Sequence, residues 1–386
     1  MVGQPGAIAR LPDGRRFVAL DSLRGVAACL VVLLHLGSNG LLTGSVLVTH
    51  GWLAVDFFFV LSGFVIAANY GDRLGQGYPL GKYMWLRLGR VWPLHLAVLL
   101  AAVALEAGSL FVDVQALTGR EPFAGTHSPR DLLLSAFLLQ IWQGEGGNGW
   151  NVQSWSISGE VFLYALFGLG WCLGRRACLA LAVIVAAAAG AIELLEWDLN
   201  DYVVRALLGF ALGALVWEVH RHRAASPASG PAATSLEALV IALCVLALLF
   251  YPRVNLAFCD LAFALAVLVF ARDAGWLSRV LARPFPVLLG TVSYSIYMIH
   301  PLVVGRIFDA LELYGRWSGQ ALVVHEDGAP RLVAGPWASD LIALASLAAV
   351  IVVALASYRW IEAPARNASR RLVGLLPRRE PASPLI

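Results

Sequence analysis

The chain has 386 residues, of which 59% are apolar and only 14% charged, with a formal net charge of +3. An average soluble domain carries about 25% charged residues, so this composition excludes an ordinary soluble globular protein. The positive excess is small and scattered between apolar runs, which argues against nucleic acid as a partner.

In chain order, apolar runs near 17–36, 52–70, 91–107, 156–173, 177–194, 202–219, 235–251, 255–270, 287–309 and 338–358 read as membrane spans. The expectation is an all-α polytopic membrane protein with ten transmembrane helices. The first run follows Arg15 and Arg16 as a signal peptide would, but it holds Asp21 and Arg24 and has no small-x-small exit, so it reads as a retained span. Residues 1–16 are then an N-terminal tail, 17–360 the transmembrane domain and 361–386 a basic C-terminal tail. The segment 131–142 is apolar but twelve residues long, which suits a re-entrant or interfacial helix. Stretch 224–234, rich in Ala, Ser, Pro and Gly, reads as a flexible connector. The five cysteines sit in or beside apolar runs without metal-ligand spacing and read as packing residues, so no metal is expected.

Charge bias orients the chain, because Lys and Arg accumulate on cytoplasmic loops. If 131–142 does not cross, twenty of them fall on the side of the termini, in 1–16, 71–90, 174–176, 220–234, 271–286 and the segment from Arg359. Five, namely Arg120, Arg130, Arg253, Arg316 and Arg331, fall on the other side. If it does cross, the division becomes ten against fifteen. Both termini are therefore expected in the cytoplasm.

Ionisable groups inside hydrocarbon are costly and mark functional candidates. Arg24 and His35 stand eleven residues apart in the first span, so they share a face about 16 Å apart along the axis. Asp21, one turn before Arg24, is its expected local partner. Either residue alone would suit a snorkelling Arg or an interfacial His; both on one face suggest a site. The alternating directions of the spans bring Asp56, Glu160 and His300 to the level of His35. A His oriented by a carboxylate is the minimal unit for activating a hydroxyl. Arg205 and Arg306 lie toward the same side as candidate counter-ions. At the opposite face Arg87 and Arg90, one turn apart just before the third span, suit phosphate oxygens through paired hydrogen bonds, although they would equally suit a basic flank.

These residues sit in motifs whose order resembles the bacterial acyltransferase 3 family of membrane-bound O-acyltransferases. Arg24 and His35 in LDSLRGVAACLVVLLH match its R-x10-H signature. GWLAVDFFFVLSGF matches its second-span pattern, with Asp56; Arg87 and Arg90 match its R-x-x-R before a proline, here Pro93. SWSISGEVFLY carries its Trp-Ser...Glu block, with Trp155, Ser156 and Glu160, while SYSIYMIHP and RWIEAP resemble its late His-Pro span and closing Glu-x-Pro, with His300 and Glu362. The likeness covers about 17–365. It implies a bacterial inner-membrane protein with acyl-CoA, acetyl-CoA above all, as cytoplasmic donor and a glycan or glycolipid hydroxyl as acceptor. It also implies that Arg24, His35, Arg87, Arg90 and Glu160 matter for function. Many relatives carry a soluble hydrolase-like domain after the last span; here the transfer is expected to finish in the membrane domain or to pass to a separate protein.

The expected mechanism has Arg87 and Arg90 holding the donor's phosphates and the pantetheine arm running past Arg24. His35 then serves as general base or transient acyl carrier, with Glu160 or Asp56 orienting its ring, and Trp155, Ser156 and His300 meet the acceptor. No oxyanion donor is named by the sequence. The same charges would also serve a proton-coupled transporter of a small anion or metabolite.

Overall fold

The computed structural model describes residues 16–111, 121–147, 149–197, 199–222, 230–326 and 329–375. The N-terminal tail up to residue 15, most of the connector and the last eleven residues lie outside them. Each of the ten apolar runs is a helix: α1 Val18–Leu34, α2 Ala54–Gly75, α3 Leu80–Gly108, then, after the short α4 Pro129–Ala136, α5 Ser154–Cys172, α6 Arg175–Leu194, α7 Asp201–His222, α8 Pro231–Phe250, α9 Leu256–Phe270, α10 Pro284–Ser318 and α11 Pro336–Ser357. Among the described residues, seven helical stretches are long and apolar enough to cross a membrane. The protein is an all-α, multi-pass membrane protein. Helices α1 and α9 are shorter, at 17 and 15 residues, and α5 opens on the polar stretch SWSISGE.

Several boundaries differ from the sequence expectation, each for a local reason. Helix α3 begins at Leu80, N-capped by Pro79, so Arg87 and Arg90 lie inside a helix and not in a loop before one. The segment 131–142 is not one helix. The eight residues of α4 end where Leu138 takes φ 57°, and a 3-10 turn Gln140–Gly147 follows. Eight residues rise about 12 Å, too little to cross. His95 and Trp92 on α3 hold its end, donating to the Ser135 and Ala136 carbonyls at 2.7 and 2.8 Å. Helix α10 runs 35 residues, through Pro301, to Gly319 at φ 72°. After it comes an unforeseen antiparallel hairpin, β1 Val323–Glu326 with β2 Ala329–Leu332, in the register Val323 opposite Leu332. The expected tail is also structured: a π turn, Tyr358–Glu362, carries α11 into α12 Ala363–Leu375, which packs along α3.

Lipid tails are as apolar as a leucine side chain, so helices in a bilayer associate through close backbone approach. The two tightest crossings are built on glycine. A Cβ on Gly213 of α7 would stand 1.9 Å from the Val60 carbonyl oxygen of α2, and one on Gly63 of α2 would stand 2.0 Å from that of Phe210. Likewise a Cβ on Gly290 of α10 would meet the Asp21 carbonyl oxygen of α1 at 2.3 Å. These contacts bring α1 and α10 together at Arg24, and α2 and α7 together beside α5. At the Arg87 end, buried Glu237 accepts from the Gly275 and Leu277 amides at 2.8 and 2.9 Å, and Asp273 accepts from the Ala19 amide at 2.9 Å, which caps α1.

Candidate active site

A cleft lies inside the bundle between α1, α2, α3, α5 and α10, with about 780 Å³ of empty space when its open mouth is included. Its wall carries Arg24, Arg87, Arg90, Glu160, Ser156 and Tyr297. Along α5 it extends from Tyr164 to Ser156, eight residues or about 12 Å.

The Arg87 end is basic. Arg24 bridges Asp21 at 3.2 Å, as its spacing foretells, and donates to Ser293 Oγ at 2.9 Å and the Gly290 carbonyl at 3.1 Å. Arg87 is buried, donates to the Tyr70 hydroxyl at 2.8 Å and stacks over that ring at 4.7 Å. Neither Arg87 nor Arg90 pairs with a carboxylate among the described residues, and Arg87 Nε has no hydrogen-bond partner. Guanidinium groups left without anions on a cavity wall are ready to receive oxyanions. Glu160 stands on this wall too, accepting from Ser62 Oγ at 2.8 Å and from the Tyr164 hydroxyl.

Beyond the Ser156 end of the cleft, off its wall, stand two imidazoles. His35 follows the last residue of α1 and His300 lies in α10, with ring centroids 5.0 Å apart. His35 Nδ1 donates to the Val31 carbonyl at 2.7 Å and His300 Nδ1 to the Tyr297 carbonyl at 2.7 Å. A carbonyl can only accept, so each neutral ring keeps its Nε2 as an unprotonated acceptor. The Gln153 amide nitrogen donates to His35 Nε2 at 2.5 Å. His300 Nε2 is buried without a partner. Just below, the Ser156 and Tyr297 hydroxyls are 2.8 Å apart, and both bond the Gln153 carbonyl at 3.1 Å.

The carboxylates do not stand where the sequence put them. Glu160 sits seven residues below Gln153 on α5, about 10 Å deeper, and touches hydroxyls rather than the His35 ring. Asp56 turns away altogether. It is bonded at 3.0 and 2.8 Å to Arg205, whose guanidinium lies over Trp52 at 4.6 Å and Trp155 at 5.4 Å. Of the two counter-ion candidates Arg205 takes that role; Arg306 pairs with Asp309 at the surface. Trp155 stacks on Tyr202 at 4.2 Å and lies outside the cleft wall, whereas its neighbour Ser156 lies on it. The His35 ring is thus oriented by a backbone carbonyl and an amide, not by a carboxylate.

Sequence reasoning passed over Gln153, Tyr297, Tyr70 and Tyr164. The available signal was a run of polar residues opening an apolar helix, Gln153 to Ser158, and a tyrosine one turn before His300. Glu362, in the closing motif, accepts from Ser295 Oγ at 2.7 Å and lies within the π turn.

Residues 17–359 match the model of a family described as an acyltransferase domain. A Komagataeibacter xylinus protein named as a membrane-bound transacylase, BcsY, is 27% identical over 330 residues, which cover 79% of this chain and 78% of that protein. The acyltransferase MdmB of Streptomyces mycarofaciens is 31% identical over 182 residues, 45% of this chain and 42% of that one. Protein 2 of the picA locus in Rhizobium radiobacter is 38% identical over 89 residues, 22% of this chain and 42% of its own length. No solved structure matches.

Proposed function

The chain belongs to this acyltransferase family, and we propose that it moves an acyl group, acetyl being the simplest, from cytoplasmic acyl-CoA to a hydroxyl of a cell-envelope or exported glycan. In this reading all ten helices cross the bacterial inner membrane, both termini are cytoplasmic and the Arg87 end of the cleft faces the cytoplasm. The observation that carries the reading is one cleft with unpaired guanidiniums at its inner end and two imidazoles with Nε2 lone pairs just beyond its outer end.

Arg87 and Arg90 hold the donor's phosphates, and the narrow pantetheine arm threads past Arg24 and Glu160. The thioester carbonyl then meets the Ser156 and Tyr297 hydroxyls, the two donors on the wall nearest His35, which take the oxyanion role. His35 Nε2 removes the proton of the acceptor hydroxyl as its oxygen attacks the carbonyl carbon. The C–S bond breaks, and the proton passes to the leaving sulfur. His300, with its Nε2 unspent, accepts a hydrogen bond from a neighbouring hydroxyl of the acceptor at the same level. Asp56 and Trp155 serve this arrangement by fixing α2, α5 and α7.

The test uses purified protein in lipid nanodiscs with acetyl-CoA and envelope glycan fractions. Free thiol should appear with wild type and acetylated glycan should be found by mass spectrometry; His35→Ala, folded and inserted, should yield neither. Wild-type protein that consumes no thioester but carries protons or a small anion across vesicles would replace the enzyme by a transporter.

A further inference from the structure

We infer that Gln153 is a latch that keeps the His35 lone pair from activating water until an acceptor hydroxyl takes its place. The inference rests on His35 acting as the base. Gln153 meets that role on two sides at once. Its side-chain nitrogen donates to His35 Nε2 at 2.5 Å, occupying the atom that would accept the acceptor's proton. The amide orientation follows from the network, since Nδ1 spends its proton on the Val31 carbonyl and only a donor can then face Nε2. On its other side, the Gln153 carbonyl accepts from Ser156 and Tyr297, both on the cleft wall, whereas Gln153 and His35 are not. Gln153 is therefore the layer between the cleft and the base.

Until an acceptor arrives, His35 is capped by an amide, and a thioester held below it is shielded from base-activated water. An acceptor hydroxyl can replace the amide on Nε2, donor for donor, whereas water has no further contacts with which to displace it. The side reaction so prevented is hydrolysis. Water attacks the thioester carbonyl, the C–S bond breaks, His35 takes the water's proton and returns it to the sulfur, giving free acid and thiol. Gln153 is a positioning residue, acting through His35.

The experiment compares wild type, Gln153→Met, Gln153→Asn, His35→Ala and the Gln153→Met/His35→Ala double variant in nanodiscs, each with acetyl-CoA and no acceptor. Met keeps the volume of Gln and removes the donor; Asn keeps the donor and shortens the reach. Thiol release should rise about tenfold or more in Gln153→Met, in line with exposing a general base, and return to background in the double variant. Gln153→Asn provides the same reading should Gln153→Met fail to fold. Hydrolysis at or below the wild-type rate in the folded Gln153 variants overturns the latch, as does a rise that survives loss of His35. Acylation of envelope glycans by cells expressing wild type is measured in parallel. Its absence removes the acyltransfer reading itself, while its presence with unchanged hydrolysis removes the latch alone.

Discussion

Replacing Asp56 by Asn, and separately Arg205 by Met, separates an architectural ion pair from a catalytic one. Asp56 is fully buried and Arg205 is 6% exposed. Breaking a buried pair costs about 3–5 kcal/mol, because the surviving charge is left without a partner. The two losses should differ. In Asp56→Asn, Arg205 retains Asp201 at 3.5 Å and an amide oxygen where the carboxylate stood, which points to the lower end, about 3 kcal/mol. In Arg205→Met the fully buried Asp56 loses the guanidinium that bonds both its oxygens and is left with no cation. That points to the upper end, about 5 kcal/mol. A double variant, Asp56→Leu with Arg205→Met, removes both charges and should be more stable than Arg205→Met alone, since apolar replacement of a buried pair is often neutral. Thermal stability is read by size-exclusion of heated, detergent-solubilised samples, and turnover is expressed per folded molecule. Asp56→Asn should keep turnover within about threefold of wild type, as expected of a group outside the reacting atoms. The reasoning is refuted if Asp56→Asn matches wild type in thermal stability while its turnover falls as far as that of His35→Ala.

Arg87→Ala and Arg90→Ala should raise KM for acyl-CoA by about tenfold or more with a smaller loss of kcat, because phosphate anchoring is remote from the reacting carbonyl; steady-state kinetics with saturating acceptor checks this. Gly213→Leu should abolish a monodisperse fold, since even a Cβ there would overlap the Val60 carbonyl; elution profile and yield after solubilisation decide it, against Gly81→Leu, where a Cβ meets nothing within 4 Å. In a background lacking the native cysteines, Arg130→Cys should label with an impermeant thiol reagent from outside the cell and Gln76→Cys only after permeabilisation; the same accessibility for both would end the proposed topology.

Hydropathy and charge spacing determined, without any coordinates, that this chain is a multi-pass helical membrane protein, where its ten long helices lie and that Arg24 pairs with Asp21. All of these depend on neighbours within about a turn or on the average polarity of a segment. Separations along one helix were also legible, because rise per residue is constant, but levels compared between helices were not: Glu160 lies about 10 Å below the Gln153 that meets His35. The direction in which a side chain faces across the bundle was not legible either. Asp56, Glu160, His35 and His300 read as one cluster by depth, yet only the two histidines meet, because packing sets both the rotation of each helix and its shift along its axis. The Gly213–Val60 approach locks α2 against α7, so that Asp56 points at Arg205; the Gly290–Asp21 approach locks α1 against α10, so that His35 faces His300. The orienting partner of His35 is a glutamine outside every motif the sequence suggested, held there by the polar opening of α5 and by a tyrosine from α10. Tertiary packing alone decided that arrangement, since nothing in a linear pattern records which faces of distant helices are turned toward one another.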